Sequence, residues 1–259
     1  MPDSAAVTAG SRNAGLLHDV RVVFARETGA YFDSAIAYVY AAVFLLLAHG
    51  IFMNGFFLES ILDLGEYFRV LPFLLALFIP AITMRSWAEE RSQGTFELIM
   101  TLPLRSFAIV LGKYFAALAF YLAVLAGSFP LVIMLLFLGK PDLGLIAASF
   151  TGAVLLGALF LAIGIFISSL TREQIVAFVL STFVCALLVL SGQEKVVEVL
   201  DGLAPRWQIG TWLYESVSVL PHYESFSKGV VSIADTAYFG ITSAFFLVMN
   251  EITLKLARY

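Results

Sequence analysis

The sequence predicts an all-α, polytopic membrane protein with six transmembrane helices and an N-terminal helix at the membrane surface. Hydrophobic residues make up 61% of the 259, and only 13% are charged, whereas ordinary soluble domains carry about 25% charged residues. Several apolar runs also reach the roughly 17–25 residues that a helix needs to cross a hydrocarbon core. Lipid is therefore the expected surrounding for most of the chain.

The first element is an amphipathic segment, residues 14–32, within a cytoplasmic N-terminal section 1–35. It places Leu16, Val20, Val23 and Phe24 on one helical face and most of its charged residues elsewhere. This pattern favours a helix in the membrane surface that turns into the membrane at residues 33–34. A plain flanking segment is the alternative. No signal peptide is expected, since residues 1–15 are polar and small.

Six apolar runs follow, each long enough to form a membrane-spanning helix. Pro80 should bend the second run and Pro130 the third. Small residues recur four apart in the fourth run, at Ala148 and Gly152 and at Ala153 and Gly157, which predicts a helix deep in the bundle. The six predicted spans are Ile36–Phe57, Tyr67–Met84, Tyr114–Leu138, Leu143–Leu170, Ile175–Ser191 and Ala237–Leu254.

The basic residues predict the orientation. Six spans put both termini on one side, and five of the 15 Lys and Arg residues lie on the other, which leaves ten with the termini. Because basic residues concentrate on the cytoplasmic side, both termini are predicted to be cytoplasmic. Nucleic acid is not an expected partner, since no basic helix or basic, aromatic groove is present. The five basic residues on the far side are Arg69, Lys140, Lys195, Arg206 and Lys228.

The densest polar loop, residues 85–113, joins the second and third spans. Trp87 suits the headgroup boundary, and the chain then becomes too polar for lipid over residues 89–94. Gly94 is a natural break, and Thr95 can cap a short helix that Pro103 ends. Such a helix can bind a groove on a soluble partner or pack back on its own protein. The spacing of its residues favours neither arrangement over the other.

A long section between the fifth and sixth spans, residues 192–231, is too polar to span and too apolar to lie free in water. It predicts short external helices, interfacial or re-entrant. Trp207 and Trp212 suit the headgroup level there.

Catalytic and metal sites are not predicted. His18, His49 and His222 lie in separate segments without ligand spacing, and no nucleophile–base cluster is readable. The chain has no phosphate-binding G-x-x-x-x-G-K-[ST] loop, so it should bind no ATP itself. No charged residue lies near the middle of a predicted span, which argues against an ion-coupled carrier.

Four segments of the chain resemble a known family. They are RETGAYFDSAIAY at 26–38, MRSWAEERSQGTFELIMTLPLRSFAIVLGK at 84–113, GALFLAIG through SSLT and QIVAF at 157–178, and PHYESFSKGVV with Asp235 and Tyr238 at 221–238. Together they resemble the permease subunits of ABC-2-type exporters, in particular the subgroup with the gliding-motility permease and the nitrous-oxide reductase maturation permease. One departure is Ala35, where that family often carries proline.

The resemblance implies a single transmembrane domain, 1–259, in a bacterial cytoplasmic membrane. It would pair with a second permease, identical or related, and with two ATPase subunits that bind the ATP and Mg²⁺. A membrane platform for a motility or maturation machine, without transport, is the alternative. The residues that the resemblance assigns to the ATPase contact are Glu89, Glu90, Arg91, Gly94, Thr95, Phe96, Glu97 and Leu98, and those assigned to an outer gate are Trp207, Trp212 and Phe226.

Overall fold

The computed structural model describes residues 3–59, 63–101, 104–203 and 208–256. These residues form helices joined by turns, with no strand among them, so the all-α prediction is confirmed. The helices are α1 Asp3–Phe32, α2 Ala35–Glu59, α3 Gly65–Thr83, α4 Arg85–Ser92, α5 Thr95–Thr101, α6 Ser106–Ala126, α7 Phe129–Leu138, α8 Leu143–Leu170, α9 Gln174–Leu190, α10 Glu194–Leu203, α11 Ile209–Ser216, α12 Leu220–Ser227 and α13 Ile233–Leu256.

Five helical segments of the described chain are long and apolar enough to cross a membrane. A sixth arises if α9 and α10, which meet at 86°, count as one bent span. The prediction of a polytopic membrane protein is thereby confirmed. The five segments are Ala35–Phe57, Gly65–Ser92, Ser106–Leu138, Leu143–Leu170 and Ile233–Leu256.

Two predicted span boundaries are wrong. The second span does not end at Met84, because α3 and α4 continue as one segment to Ser92. The third span begins at Ser106, two turns before the predicted start at Tyr114, and it is interrupted between α6 and α7. Pro130 lies in the first turn of α7, directly after this interruption. A proline is tolerated in a first turn because its missing N–H has no helical partner there.

Helix α1 packs lengthwise on α6 through the amphipathic face that the sequence predicted. Val23 is buried and Leu16, Val20 and Phe24 are half-buried. Gly112 of α6 permits this approach, because a Cβ there would lie 2.6 Å from Val23. The face therefore covers another helix of the same chain. The predicted turn at residues 33–34 is present between α1 and α2.

Helix α8 is the most enclosed of the long helices and contacts α3, α4, α6, α9, α12 and α13. The small residues that predicted this burial lie where neighbours come closest. Gly152 faces Phe226 of α12, Gly157 faces the Tyr121 ring of α6, and Gly164 faces Thr83 of α3. Each glycine allows a closer approach than any larger residue would permit.

Replacing Gly157 with leucine is expected to destabilise the bundle. Any side chain there would overlap the ring of Tyr121, which is buried and donates to the carbonyl of Ala153 at 2.8 Å. Overpacking of a tight core typically costs about 1–3 kcal/mol. The midpoint of thermal unfolding in detergent measures the effect. Gly50→Leu is the control, because no described atom lies within 4 Å of a Cβ there. Equal midpoints for the two variants would contradict the tight contact.

The section between α9 and α13 contains three short helices. Helix α10 turns 86° from α9 and has no buried residue, and Asp201 joins it to α11 by accepting from the Gly210 N–H at 2.7 Å. Helix α12 instead packs into the bundle, where the Tyr223 hydroxyl donates to the carbonyl of Phe68 at 2.9 Å. The section thus combines an exposed helix with one that returns between the spans.

Candidate functional site

The segment predicted to contact an ATPase forms a corner at one end of the bundle, made of α4 and α5. Gly94 lies between them with φ +71°, a left-handed conformation that glycine adopts without strain. Thr95 does not act as the predicted cap in the usual sense, because its hydroxyl donates to the carbonyl of Glu90 at 3.3 Å. The corner is therefore closed by a bond back to α4.

The inner face of the corner packs on its own protein. Phe96 and Ile99 are buried, and the Phe96 ring meets Trp87 edge-on with 6.1 Å between centroids. The Arg91 guanidinium carbon lies 4.5 Å from the centre of the Phe96 ring, within the range of a cation–π contact. Trp87 is fully buried, so its side chain contacts protein and does not face the lipid headgroups directly. Helix α5 covers it.

The outer face of the corner is open. The Leu98 side chain is 68% exposed although it is apolar, and Gly94, Thr95 and Glu97 are exposed beside it. Glu89 and Arg91 are half-buried at the edge. The short helix therefore packs back on its own protein through one face, and its other face is exposed.

Glu90 points inward, into a charge cluster of Arg26, Glu27, Glu90 and Lys113. The Lys113 side chain is only 2% exposed. Its Nζ donates to Glu90 at 2.8 Å, to the Ser86 carbonyl at 2.8 Å and to Glu27 at 3.3 Å. An ammonium has three donors, so all of them are used. The cluster joins α1, α4 and α6 at one point.

Arg26 completes this cluster from α1, where it donates to Glu27 and to Glu90. Burial disfavours its charged form, but the two carboxylates outweigh burial and raise the pKa of Arg26. Arg26 therefore stays charged at any physiological pH. Burial and the Glu27 carboxylate also raise the pKa of Tyr31, which remains a neutral phenol beside the cluster.

Sequence reasoning missed the cluster. In the sequence, Lys113 lies at the boundary of the predicted third span, whereas Arg26 and Glu27 belong to the amphipathic N-terminal segment and to one motif of the family resemblance. The partners come from three segments distant in sequence, Lys113 being 86 positions from Glu27. No helical spacing relates them. A signal was present in the lysine itself, because a buried cation requires anionic partners.

Ser168 of α8 connects the start of α4 to the bundle. Its Oγ accepts from the N–H groups of Trp87 at 3.0 Å and Ala88 at 3.1 Å, and it donates to the carbonyl of Met84 at 3.0 Å. The first N–H groups of a helix have no partner within that helix. Ser168 thus caps the start of α4 from a different helix and links α4 to α8.

The predicted outer-gate residues lie in different settings. Trp212 of α11 is exposed, whereas Phe226 of α12 is fully buried against Gly152. Trp207 lies outside the described residues. No group of three or more metal-ligating side chains occurs in the described part of the chain.

Comparison with known proteins agrees with this architecture. Residues 35–207 match the model of a family described as "ABC-2 family transporter protein". Over 167 residues the chain is 29% identical to the "Probable multidrug ABC transporter permease YbhR" of Escherichia coli K12 and to the protein of that name in Escherichia coli O157:H7. The alignment covers 62% of this chain and only 43% of either relative. Because the family match covers more than half of its length, this multi-pass membrane chain belongs to the ABC-2 family of transporter proteins.

Proposed function

We propose that the chain is the non-catalytic permease subunit of an ATP-driven exporter and that the α4–α5 corner contacts its ATPase partners. The observation that carries the proposal is that one face of the corner is exposed and the opposite face is buried against the bundle. Its outer face presents exposed Glu97 and Leu98, while its inner face is fixed to the bundle. An exposed apolar side chain with a charged rim is typical of a protein–protein contact.

The inner attachments explain how such a contact would act. A force on α5 reaches α4 through Phe96 and Trp87, then α8 through Ser168, and α1 and α6 through Lys113. Closure of two ATPase subunits on ATP and Mg²⁺ would therefore move these helices together as rigid bodies. The energy comes from the partner chains, since this chain carries no phosphate-binding loop.

The proposed assembly contains two permease subunits, identical or related, and two ATPases in a bacterial cytoplasmic membrane. The distribution of basic residues supports cytoplasmic termini, and the charge cluster brings the end of α1 to the same end of the bundle as the corner. The motif resemblance favours the gliding-motility and nitrous-oxide maturation subgroup. The name of the Escherichia coli relative instead favours multidrug export, which makes lipid-soluble compounds the first substrates to test.

The contact is tested with a Leu98→Asp variant, co-expressed with an ABC ATPase that co-purifies with the wild-type chain. The substitution is expected to reduce ATPase co-purification by at least about tenfold, because a carboxylate would be buried without a partner in an apolar socket. Transport into vesicles should be lost with it. Glu90 is unsuitable for this purpose, since its side chain holds Lys113 inside the protein.

Leu203→Asp is the matched control, because Leu203 is also exposed and apolar but lies at the end of α10. Normal co-purification of the Leu98 variant would refute the proposed contact. If the wild-type complex hydrolyses ATP without moving any tested compound, the membrane-platform alternative gains support.

A Leu98→Cys variant reports the orientation of the chain in the membrane, because the single natural cysteine, Cys185, is buried. A membrane-impermeant maleimide should label it only in inverted vesicles.

A further inference from the structure

A cleft of about 400 Å³ opens beside the charge cluster, between α1, α2, the α3–α4 segment and α6. Its volume lies within the roughly 300–1,000 Å³ of typical small-molecule sites. Acidic and basic side chains line it in equal number, so the wall has no net charge. The charged residues of the wall are Arg26, Glu27, Arg85, Glu89, Glu90 and Lys113.

Polar and apolar parts of this wall are separated along the bundle. The charged side chains come from the end of α1, from α4 and from the start of α6, all near the α4–α5 corner. Further into the bundle the wall is formed by Ala37 and Tyr40 of α2, Ile82 of α3 and Phe120 of α6. Phe120 lies two turns beyond Lys113. The cleft therefore has the polarity of an amphiphile, with one charged and one apolar end.

Two buried polar atoms at the charged end have no hydrogen-bond partner among the described residues. One is the Nε of Arg85, a donor, and the other is the Oε2 of Glu90, an acceptor. The nearest carboxylate oxygen to that Nε is on Glu89, 4.0 Å away. Buried polar groups are normally paired. These two atoms are themselves enclosed, so a ligand reaches this end through the exposed parts of the wall. Arg85 and Glu89 line the cleft with 41% and 36% of their side chains exposed. A ligand with an anionic acceptor and a cationic N–H donor matches their charges.

We propose that the cleft binds a membrane phospholipid whose headgroup carries a phosphate and a primary ammonium, as in phosphatidylethanolamine. Arg85 donates to the phosphate, and Glu89 accepts from the ammonium. An acyl chain lies along Ala37, Ile82 and Phe120. This site goes beyond the exporter function proposed above and does not depend on the ATPase contact.

The balance of charges selects this headgroup over the common alternatives. An anionic lipid such as phosphatidylglycerol would satisfy Arg85, but it carries no cation to pair with Glu89 and would add a net negative charge to a wall that has none. Phosphatidylcholine has a quaternary ammonium, which carries no N–H to donate. Hydrogen bonds between charged groups are the stronger ones, so the primary amine is the feature that distinguishes the preferred lipid.

Native mass spectrometry of the purified full chain tests the proposal, with dioleoyl forms of the three lipids added in equal amounts. The bound fraction of phosphatidylethanolamine is expected to exceed that of either other lipid by about tenfold. This is the difference in affinity that one charge-assisted hydrogen bond provides. Soluble O-phosphoethanolamine should not displace it, because the headgroup alone makes no use of the apolar end. Equal retention of phosphatidylcholine, preference for phosphatidylglycerol, or displacement by the free headgroup would each overturn the site.

Variants of the wall residues test whether the preference for phosphatidylethanolamine arises in this cleft. Arg85→Gln and Glu89→Gln should each remove most of the tenfold preference, and Ala37→Phe should reduce retention of all three lipids by filling the apolar end. Arg69→Gln is the control, because Arg69 also pairs with a glutamate of its own helix, Glu66, but lies at the other end of the α3–α4 segment. Unchanged preference in the Arg85 and Glu89 variants would place the lipid elsewhere.

Discussion

Replacing Lys113 with methionine is expected to destabilise the protein by about 3–5 kcal/mol, since removal of one partner from a buried ion cluster leaves uncompensated charge. The two carboxylates of Glu27 and Glu90 would then share a buried site with only the half-exposed Arg26 to offset them. Methionine fills most of the volume of the lysine stem, so the loss is electrostatic and not a cavity effect. The midpoint of thermal unfolding in detergent measures it.

Lys255→Met is the matched control, because Lys255 pairs with Glu251 on an exposed part of α13. This substitution should lower the free energy of unfolding by less than about 1 kcal/mol, as for other surface ion pairs. Adding Glu27→Gln and Glu90→Gln to the Lys113 variant should restore much of the stability, since neither amide carries charge. Equal midpoints for the two lysine variants would show that the cluster does not hold α1, α4 and α6 together.

Replacing Ser168 with alanine is expected to abolish most of the transport while leaving the ATPase attached. The substitution removes the acceptor for the Trp87 and Ala88 N–H groups and the donor to Met84. Each buried polar group left without a partner costs about 1–3 kcal/mol, and the hydrogen bonds that fix the start of α4 to α8 would be lost. The exposed face of α5 is unaffected, so co-purification of the ATPase should persist. Transport in vesicles and co-purification are measured on the same preparation.

Ser169→Ala provides a close control. Ser169 is also buried, but its hydroxyl donates to the Phe166 carbonyl at 2.6 Å, within α8 itself. Loss of that bond leaves the connection to α4 intact, so transport should remain near the wild-type level. If the two serine variants transport equally, movement does not pass from α4 to α8 through Ser168.

The parts of the fold that the sequence predicted correctly are those with local causes. Apolar length predicted the long helices, the spacing of Gly152 and Gly157 predicted the burial of α8, and Gly94 predicted the break before α5. Each depends on residues within one or two turns of one another. The start of the third span was wrong because Lys113 was read as the edge of an apolar run. With Glu27 and Glu90 as partners, that lysine is accommodated inside a helix that begins at Ser106.

The candidate site could be predicted only on its outer face. Glu97 and Leu98 are exposed because of their position on a short helix, which the local pattern indicates. The inward direction of Glu90 and the burial of Trp87 depend on contacts with α1, α5 and α6. Such contacts join segments that no periodicity relates. Family resemblance assigned all of these residues to one role, whereas the packing divides them between a surface and a core.

Helix α9 has a consequence for the shape of the bilayer around the protein. It packs along α3 and α8, yet its 17 residues extend only about 26 Å at 1.5 Å per residue. The hydrocarbon core of a typical bilayer is roughly 30 Å thick. Its Phe183 and Leu190 are exposed on the surface of the protein, and the chain then turns by 86° into α10. A short hydrophobic length is accommodated by local thinning, so the bilayer is expected to be thinnest at this side of the molecule.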